Sequence, residues 1–157
     1  MSLFEDERYQ YCDTFFVFFE EGNRPTAKQV IAVLESGGEK CELSDSKEQD
    51  GKFEAITVRS PHDSSAMDIT VVVGDEVREQ VEELVSEFRN MSIVGDDYKR
   101  LMKIDKATAR LDVYHFERKS DSPEDEVLDP GGLFLVIDKL NALCDGVGHD
   151  PQSKTLI

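Results

Sequence analysis

The chain has 157 residues, the length of one domain, and its 39% hydrophobic content is enough for an apolar core. Its 34 acidic and 18 basic residues give a formal net charge of −16, which repels phosphate backbones and argues against nucleic-acid binding. No apolar run reaches membrane length, and the first residues, MSLFEDE, lack the basic and apolar pattern of a signal peptide. We therefore expect a cytoplasmic protein that does not bind membranes.

The cysteines agree with a reducing compartment. Cys12, Cys41 and Cys144 are odd in number and widely spaced, which argues against a disulfide framework. Cys144 and His149 are the nearest approach to a zinc-binding pair, and they do not form a complete motif. No metal and no cofactor are predicted.

The first half of the chain contains one strongly apolar strand and one well-marked helix. Residues 1–12 are polar and are predicted to form an N-terminal arm. A strand follows at 13–20, where the uninterrupted apolar run 14–19 indicates burial on both faces and a central place in a sheet. Thr26 and Gln29 have the spacing of a capping box and begin a helix over 26–36, which Gly37-Gly38 should end.

A hairpin is predicted next. Residues 39–51 are charged and end in the turn dipeptide Asp50-Gly51. Alternating runs at 53–58 and 67–73 read as antiparallel strands joined by a turn at 60–64. The second run is more apolar than the first and should lie deeper in the sheet.

The second half adds a helix, a strand and a C-terminal helix. Apolar spacing predicts a helix over about 75–89, then a connector that could hold a short helix, then a strand at 111–117. A polar, acidic loop is predicted at 119–128. Asp129-Pro130 is a good helix start, and the tail could add a short edge strand at 155–157.

This order predicts a single α+β domain. If the connector is ignored, residues 13–118 read βαββαβ, which is the ferredoxin-like arrangement: an antiparallel sheet with two helices on one face. Its first and third strands should be central. Residues 129–157 then add a C-terminal helix and a short tail.

Such a fold would leave one sheet face uncovered. The aromatic residues expected there are the candidate binding residues Phe16, Phe18, Tyr114 and Phe116. Because so much apolar surface is unusual on a monomer, something should cover it. The C-terminal helix, a second copy of the chain in a homodimer, and a ligand or protein partner are all open.

The sequence holds no strong catalytic constellation. His115 lies between Tyr114 and Phe116 and is a weak candidate for a general base, since such residues are more often structural. The run His62-Asp63-Ser64 is better explained as a turn than as a triad. The sequence therefore favours a non-catalytic binding or protein-interaction module. The alternative is a small enzyme with a pocket around His115 and Tyr114.

Overall fold

A computed structural model describes residues 3–36, 41–60, 65–119 and 131–157. Short 3-10 turns lie at Leu3–Glu5 and Glu21–Asn23. The strands are β1 (Tyr9–Phe19), β2 (Glu42–Gln49), β3 (Lys52–Ser60), β4 (Ser65–Val73), β5 (Ala109–Arg118), β6 (Val147–Asp150) and β7 (Thr155–Leu156). The helices are α1 (Ala27–Glu35), α2 (Asp75–Asn90), α3 (Asp96–Asp105) and α4 (Gly131–Cys144).

The helix predicted over 26–36 is confirmed as α1. The side chain of Thr26 accepts a hydrogen bond from the backbone N–H of Gln29, and the Gln29 side chain accepts one from the backbone N–H of Thr26. This capping box satisfies two amide donors that have no partner inside the helix, so it fixes where α1 begins.

The sheet is not ferredoxin-like, and that prediction is wrong. Its seven strands are ordered β2-β3-β4-β5-β1-β6-β7, and every neighbouring pair is antiparallel. The first and third predicted strands, β1 and β4, are therefore separated by β5. The chain also has four helices within its described residues, where the ferredoxin-like core has two.

The connection between β4 and β5 explains the difference. It contains two helices, α2 and α3, whereas the prediction passed over α3 as a connector. One helix would carry the chain to the far end of the sheet and favour a parallel strand. Two helices bring it back, so that Ala109 at the start of β5 lies opposite Val73 at the end of β4.

The sheet also extends further at both edges than the sequence suggested. Residues 42–49, taken as a charged connection, form the edge strand β2. A two-residue turn joins β2 to β3, with φ values of 53° at Asp50 and 80° at Gly51. The edge strand predicted at 155–157 is present as β7, but it pairs with the unforeseen strand β6.

Helices cover both faces of the sheet. The first face packs against α1 and α4 through a core that includes Phe15, Val17 and Ile137. The second face packs against α2 and α3 through a core that includes Phe18 and Val81. The C-terminal helix therefore lies beside α1, on the first face. One of the open alternatives had this helix cover the face opposite α1, and it does not do so.

The second face is covered in two separate places. At one end, α2 and α3 bury Phe18 and pack against the partly buried Phe16 and Val72; we call this the closed half. At the other end, the turn Leu3–Glu5 packs on Ala66 and Phe116. A groove remains between them, and we call it the open half. None of the helices within the described ranges has the length and apolar surface that crossing a bilayer requires.

Several predicted features lie outside the described residues. They are the Gly37-Gly38 helix stop, the turn at 61–64 with His62, and the Asp129-Pro130 helix start. The acidic loop predicted at 119–128 also lies there, apart from Lys119.

Candidate functional site

The open half of the second sheet face contains a groove of about 420 Å³. This volume lies within the range of small-molecule and side-chain binding sites. Strands β2, β3, β4 and β5 and the N-terminal turn line it, through Phe4, Asp45, Lys47, Ala55, Ile56, Thr57, Asp68, Thr70 and Tyr114.

Asp68 holds the floor of the groove together. Its Oδ1 accepts a hydrogen bond of 2.6 Å from the Thr57 hydroxyl on β3, and its Oδ2 accepts one of 3.0 Å from the backbone N–H of Leu3. Both bonds are buried, and Asp68 is 8% exposed. The carboxylate therefore ties the N-terminal turn to two strands and gives the groove a fixed floor.

Asp112 marks the boundary between the two halves. It faces Thr70 across the β4–β5 pair, its Oδ1 accepts a 2.7 Å bond from Arg110 Nε, and its Oδ2 accepts a 3.3 Å bond from the Tyr114 hydroxyl. Burial, followed by the neighbouring Asp112 charge, raises the pKa of Tyr114. The phenol therefore stays protonated at neutral pH and acts as a hydrogen-bond donor.

The wall formed by β2 departs from regular strand geometry. The register of β2 against β3 shifts between Ser44 and Lys47, and Asp45 has a φ of 53°. Such irregularities redirect side chains away from strict alternation. Asp45 and Lys47, both exposed, lie within this irregular segment and line the groove.

The opposite wall is aromatic. The Phe4 ring is 59% exposed, and its centroid lies 4.8 Å from that of Phe116, 5.5 Å from that of Tyr114 and 5.6 Å from that of Tyr11. Tyr11 is itself 47% exposed. These two rings form an accessible aromatic rim beside a polar floor, an arrangement that is enriched at protein interfaces.

A salt bridge keeps this wall in place. The Asp6 carboxylate is bonded by Arg8 at 2.8 Å and lies 3.7 Å from Arg59 on β3. The hydrogen bonds and positive charge of Arg8, with the charge of Arg59, hold the pKa of Asp6 well below its usual range. Asp6 therefore remains ionised and anchors the end of the turn that carries Phe4.

The four predicted binding residues do not lie together. Phe16 and Phe18 pack under α2 and α3 in the closed half. Phe116 is buried beneath the N-terminal turn. Tyr114 alone borders the groove. The structure thus places all four residues on the second sheet face, as expected. Only Tyr114 lies in the open half.

His115 does not share a pocket with Tyr114. Successive side chains of β5 point to opposite faces, so Tyr114 faces the groove whereas His115 faces the side of α1 and α4. There its Nδ1 lies 3.0 Å from Oδ1 of Asp13 on the paired strand β1. His115 is 8% exposed. The structure therefore does not assemble the enzyme pocket predicted around these two side chains.

Cys144 and His149 also lie on different faces. Cys144 belongs to the core under α4, where burial raises the pKa of its thiol to about 12. His149 packs among Phe16, Phe18 and Phe88 on the second face. In the part of the chain that the structure describes, no group of three or more His, Cys, Asp or Glu side chains could hold a metal ion.

Sequence reasoning missed most residues of the groove. Asp68 carried a usable signal, since it is an acid in the middle of an apolar strand. Its partner Thr57 lies 11 positions away and Leu3 lies 65 away, so only the strand pairing reveals them. Phe4 carried no comparable signal in its polar N-terminal segment.

We compared the chain with protein-family models, with curated proteins and with solved structures, and none of these searches found a match. The functional argument therefore depends on the geometry of the groove.

Proposed function

We propose that the chain is a non-catalytic protein-interaction module that accepts a partner's side chain in the groove of the open half. The observation that supports this proposal most directly is a preformed groove with a hydrogen-bonded floor, next to two accessible aromatic rings. A fixed floor lowers the ordering cost of binding, and aromatic side chains contribute strongly at interfaces.

The hydrogen bonds of the floor favour binding over catalysis. Both oxygens of Asp68 and both oxygens of Asp112 accept hydrogen bonds from the protein itself. A general base needs a lone pair directed at the substrate. These two carboxylates are instead committed to holding strands and side chains in position.

A peptide titration tests the proposal. The isotope-labelled full chain is titrated with capped tripeptides whose central residue is Arg, Lys, Phe, Leu or Glu, and backbone amide shifts are followed by NMR. We expect at least one peptide to shift amides of β3, β4 and β5 around the groove, and to be recovered chemically intact. Shifts confined to other surfaces, or no shifts with any peptide, would overturn the proposal, and so would turnover of a peptide.

Filling the groove provides the matched variant. Ala55→Leu places a larger side chain in the lining and should abolish the groove shifts. Leu135→Ala alters an exposed residue of α4 on the opposite face and should leave them unchanged. If Ala55→Leu impairs folding, as judged by circular dichroism, Phe4→Ala tests the same groove from its exposed wall. Binding that survives a folded groove variant at full strength would contradict the proposal.

A further inference from the structure

Part of β1 has a neighbouring strand on one side only. β1 pairs with β5 along its length, with one shift of register between Tyr11 and Asp13. On its other side it pairs with β6, and only at residues 16–18. In the part of the chain that the structure describes, no strand lies beside residues 9–15 on that side. We call residues 9–15 the unpaired edge; at about 3.3 Å per residue it is about 23 Å long.

The backbone of the unpaired edge directs hydrogen-bonding groups outward. The N–H of Lys119 donates a 2.8 Å bond to the carbonyl of Arg8, so that carbonyl faces β5. Because successive residues of a strand direct their N–H and C=O groups to alternate sides, Gln10 also faces β5 and Tyr11 faces away from it. Within the described ranges, no hydrogen bond joins the backbone N–H or C=O of Tyr11 to another residue. An exposed row of such groups is a template on which a further strand can form.

Strand β6 shows that this side of β1 accepts an antiparallel strand. Its residues Val147, Gly148 and His149 pair with β1 directly beside the unpaired edge. The chain then leaves this line, because Asp150 pairs with Thr155 of β7. A separate segment that runs in the direction of β6 would take the place that the next residues of β6 leave empty.

An exposed aromatic ring stands beside the unpaired edge on the second face. Tyr11 is 47% exposed, its hydroxyl lies 2.5 Å from that of Thr14, and its ring stacks on that of Phe4. These contacts hold the ring in one position. An apolar side chain of an added strand can pack on it as a cross-strand neighbour.

Two carboxylates flank the unpaired edge on the first face. Asp13 belongs to the edge and contacts His115, and Glu117 lies two residues further along β5 on the same face as His115. The cations Arg8 and Arg118 lie at the N-terminal end of the edge. Asp13 keeps its contact with His115, so both carboxylates act on an incoming strand through their charge.

We propose that the unpaired edge binds an extended, basic segment of a partner protein, which adds to the sheet as an antiparallel strand beside β1. Main-chain hydrogen bonds supply affinity in this mode of binding, and alternate side chains supply selectivity. The expected segment therefore alternates apolar residues, next to Tyr11, with lysine or arginine residues, near Asp13. The groove takes no part in this binding, so the inference goes beyond the proposed function and does not depend on it.

A second copy of the chain fits this edge less well than a flexible segment does. Each copy has a net charge of −16, so two copies repel each other. The shift of register between Tyr11 and Asp13 is a bulge, which twists the strand and opposes pairing with another rigid edge. A flexible segment can follow that twist.

Three capped heptapeptides test the proposal: Lys-Val-Lys-Val-Lys-Val-Lys, the same residues in the order Lys-Lys-Val-Val-Val-Lys-Lys, and Glu-Val-Glu-Val-Glu-Val-Glu. Each is titrated into the isotope-labelled full chain, and backbone amide shifts are followed by NMR. We expect the alternating basic peptide to shift amides of residues 9–15 and of β6, and to bind several-fold more tightly than the other two. Shifts centred on the groove or on β2, or equal affinities for the two basic peptides, would overturn the inference.

Methylation of the peptide backbone separates strand addition from simple charge attraction. Two versions of the alternating peptide carry N-methyl groups, one on its valines and the other on its lysines. In an added strand only one of these two sets of nitrogens points toward β1. One version should therefore lose its binding to the unpaired edge while the other keeps it. If both versions have the same affinity, no strand is added and the inference is wrong.

Two variants of the chain provide a matched pair. Glu117→Gln removes a carboxylate beside the unpaired edge, and Glu48→Gln removes one from an exposed position of β2, at the other edge of the sheet. Glu117→Gln should weaken binding of the alternating peptide by about two- to fivefold, the size of a partly exposed ion pair, and Glu48→Gln should change it little. Equal weakening by both would mean that only net charge attracts the peptide. Ala55→Leu, in the groove, should leave this binding unchanged.

Discussion

The two halves of the second sheet face are built from similar side chains but have different roles. The closed half has Phe16, Phe18 and Arg110, whose guanidinium pairs with Asp112 at the boundary and contacts Gln80 and Glu76 of α2. The open half has Phe4, Tyr114 and the Asp68 carboxylate, and it borders solvent. Both contain aromatic rings beside charged groups, so side-chain type alone does not distinguish core from binding surface.

Helix length explains why one half stays open. The 16 residues of α2 and the 10 residues of α3 make helices about 24 Å and about 15 Å long, whereas the 10 residues of β5 span about 33 Å. Even aligned with the strand, neither helix covers its whole length. The N-terminal turn covers a little more at the far end. The groove is the part of the face that none of these three elements covers.

Truncating one aromatic ring in each half should give the largest contrast. Phe18 is 1% exposed, so Phe18→Ala should lower the free energy of unfolding by about 3–5 kcal/mol through lost burial and a cavity. Phe4 is 59% exposed, so Phe4→Ala should cost about 1 kcal/mol or less while removing peptide binding. Denaturant unfolding of both variants measures the difference. Similar losses would mean that Phe4 belongs to the core and that the groove is not a separate surface.

The next largest effect is expected at the floor of the open half. Asp68→Ala leaves the Leu3 N–H and the Thr57 hydroxyl without this acceptor, which should cost about 2–4 kcal/mol. Thr57→Val removes only one donor and should cost about 1 kcal/mol. Denaturant unfolding gives the two costs, and the NMR signals of Leu3 and Phe4 show whether the turn has detached. Equal costs would show that the bond to Leu3 contributes nothing to the floor.

Local signals allowed the closed half to be predicted better than the open half. The apolar run at 14–19 predicted a strand buried on both faces, and Phe15 and Phe18 are indeed buried against opposite helical layers. The capping box of α1 was read correctly for the same reason, because its partners are three residues apart. Features that depend on residues close together in the sequence could thus be predicted from it.

The topology was missed because two short elements have weak apolar patterns. Only Leu101 and Ile104 are buried in α3, so it resembled a connector. Strand β2 is almost wholly charged or polar, since it lies at an edge and has little contact with the core. Its Asp50-Gly51 turn was the available signal, because this dipeptide is typical of tight hairpins. The groove depends on the second of these errors, since β2 forms one of its walls.

A pH-dependent contribution to stability is expected in the closed half. His149 is 6% exposed, its Nδ1 has no hydrogen-bond partner among the described residues, and its ring packs on Phe16, Phe18 and Phe88. Burial lowers its pKa, although the charges of Asp150 and Glu87 oppose the shift. Below the ordinary histidine value of about 6.5, the unfolded chain therefore binds a proton that the folded chain does not bind.

The free energy of unfolding should consequently fall as the pH drops from about 6.5 toward the lower pKa that His149 has in the folded chain. Below that pKa, the contribution of His149 should level off. His149→Phe keeps an aromatic ring among the three phenylalanines and removes the titrating group. Unfolding measured from neutral to mildly acidic pH should show a shallower loss in the variant than in the parent chain. Parallel curves would show that His149 does not cause the loss.

The smallest effect is expected at the turn that supports the β2 wall of the open half. A Cβ at Gly51 would meet no atom of the described part of the chain within 4 Å, so the cost of Gly51→Ala comes from its φ of 80°. We expect a loss of about 1 kcal/mol in the free energy of unfolding, and weaker peptide binding if the turn sets the positions of Asp45 and Lys47. Gly22→Ala, at an equally open position without a positive φ, is the matched control and should cost less. Because the Gly51 carbonyl accepts a hydrogen bond from the backbone N–H of Ala27 at the start of α1, on the first face, Gly51→Ala should leave the NMR signals of Phe18 and Val81 unchanged. Changes there would mean that the two halves are coupled through the sheet and do not behave as separate surfaces.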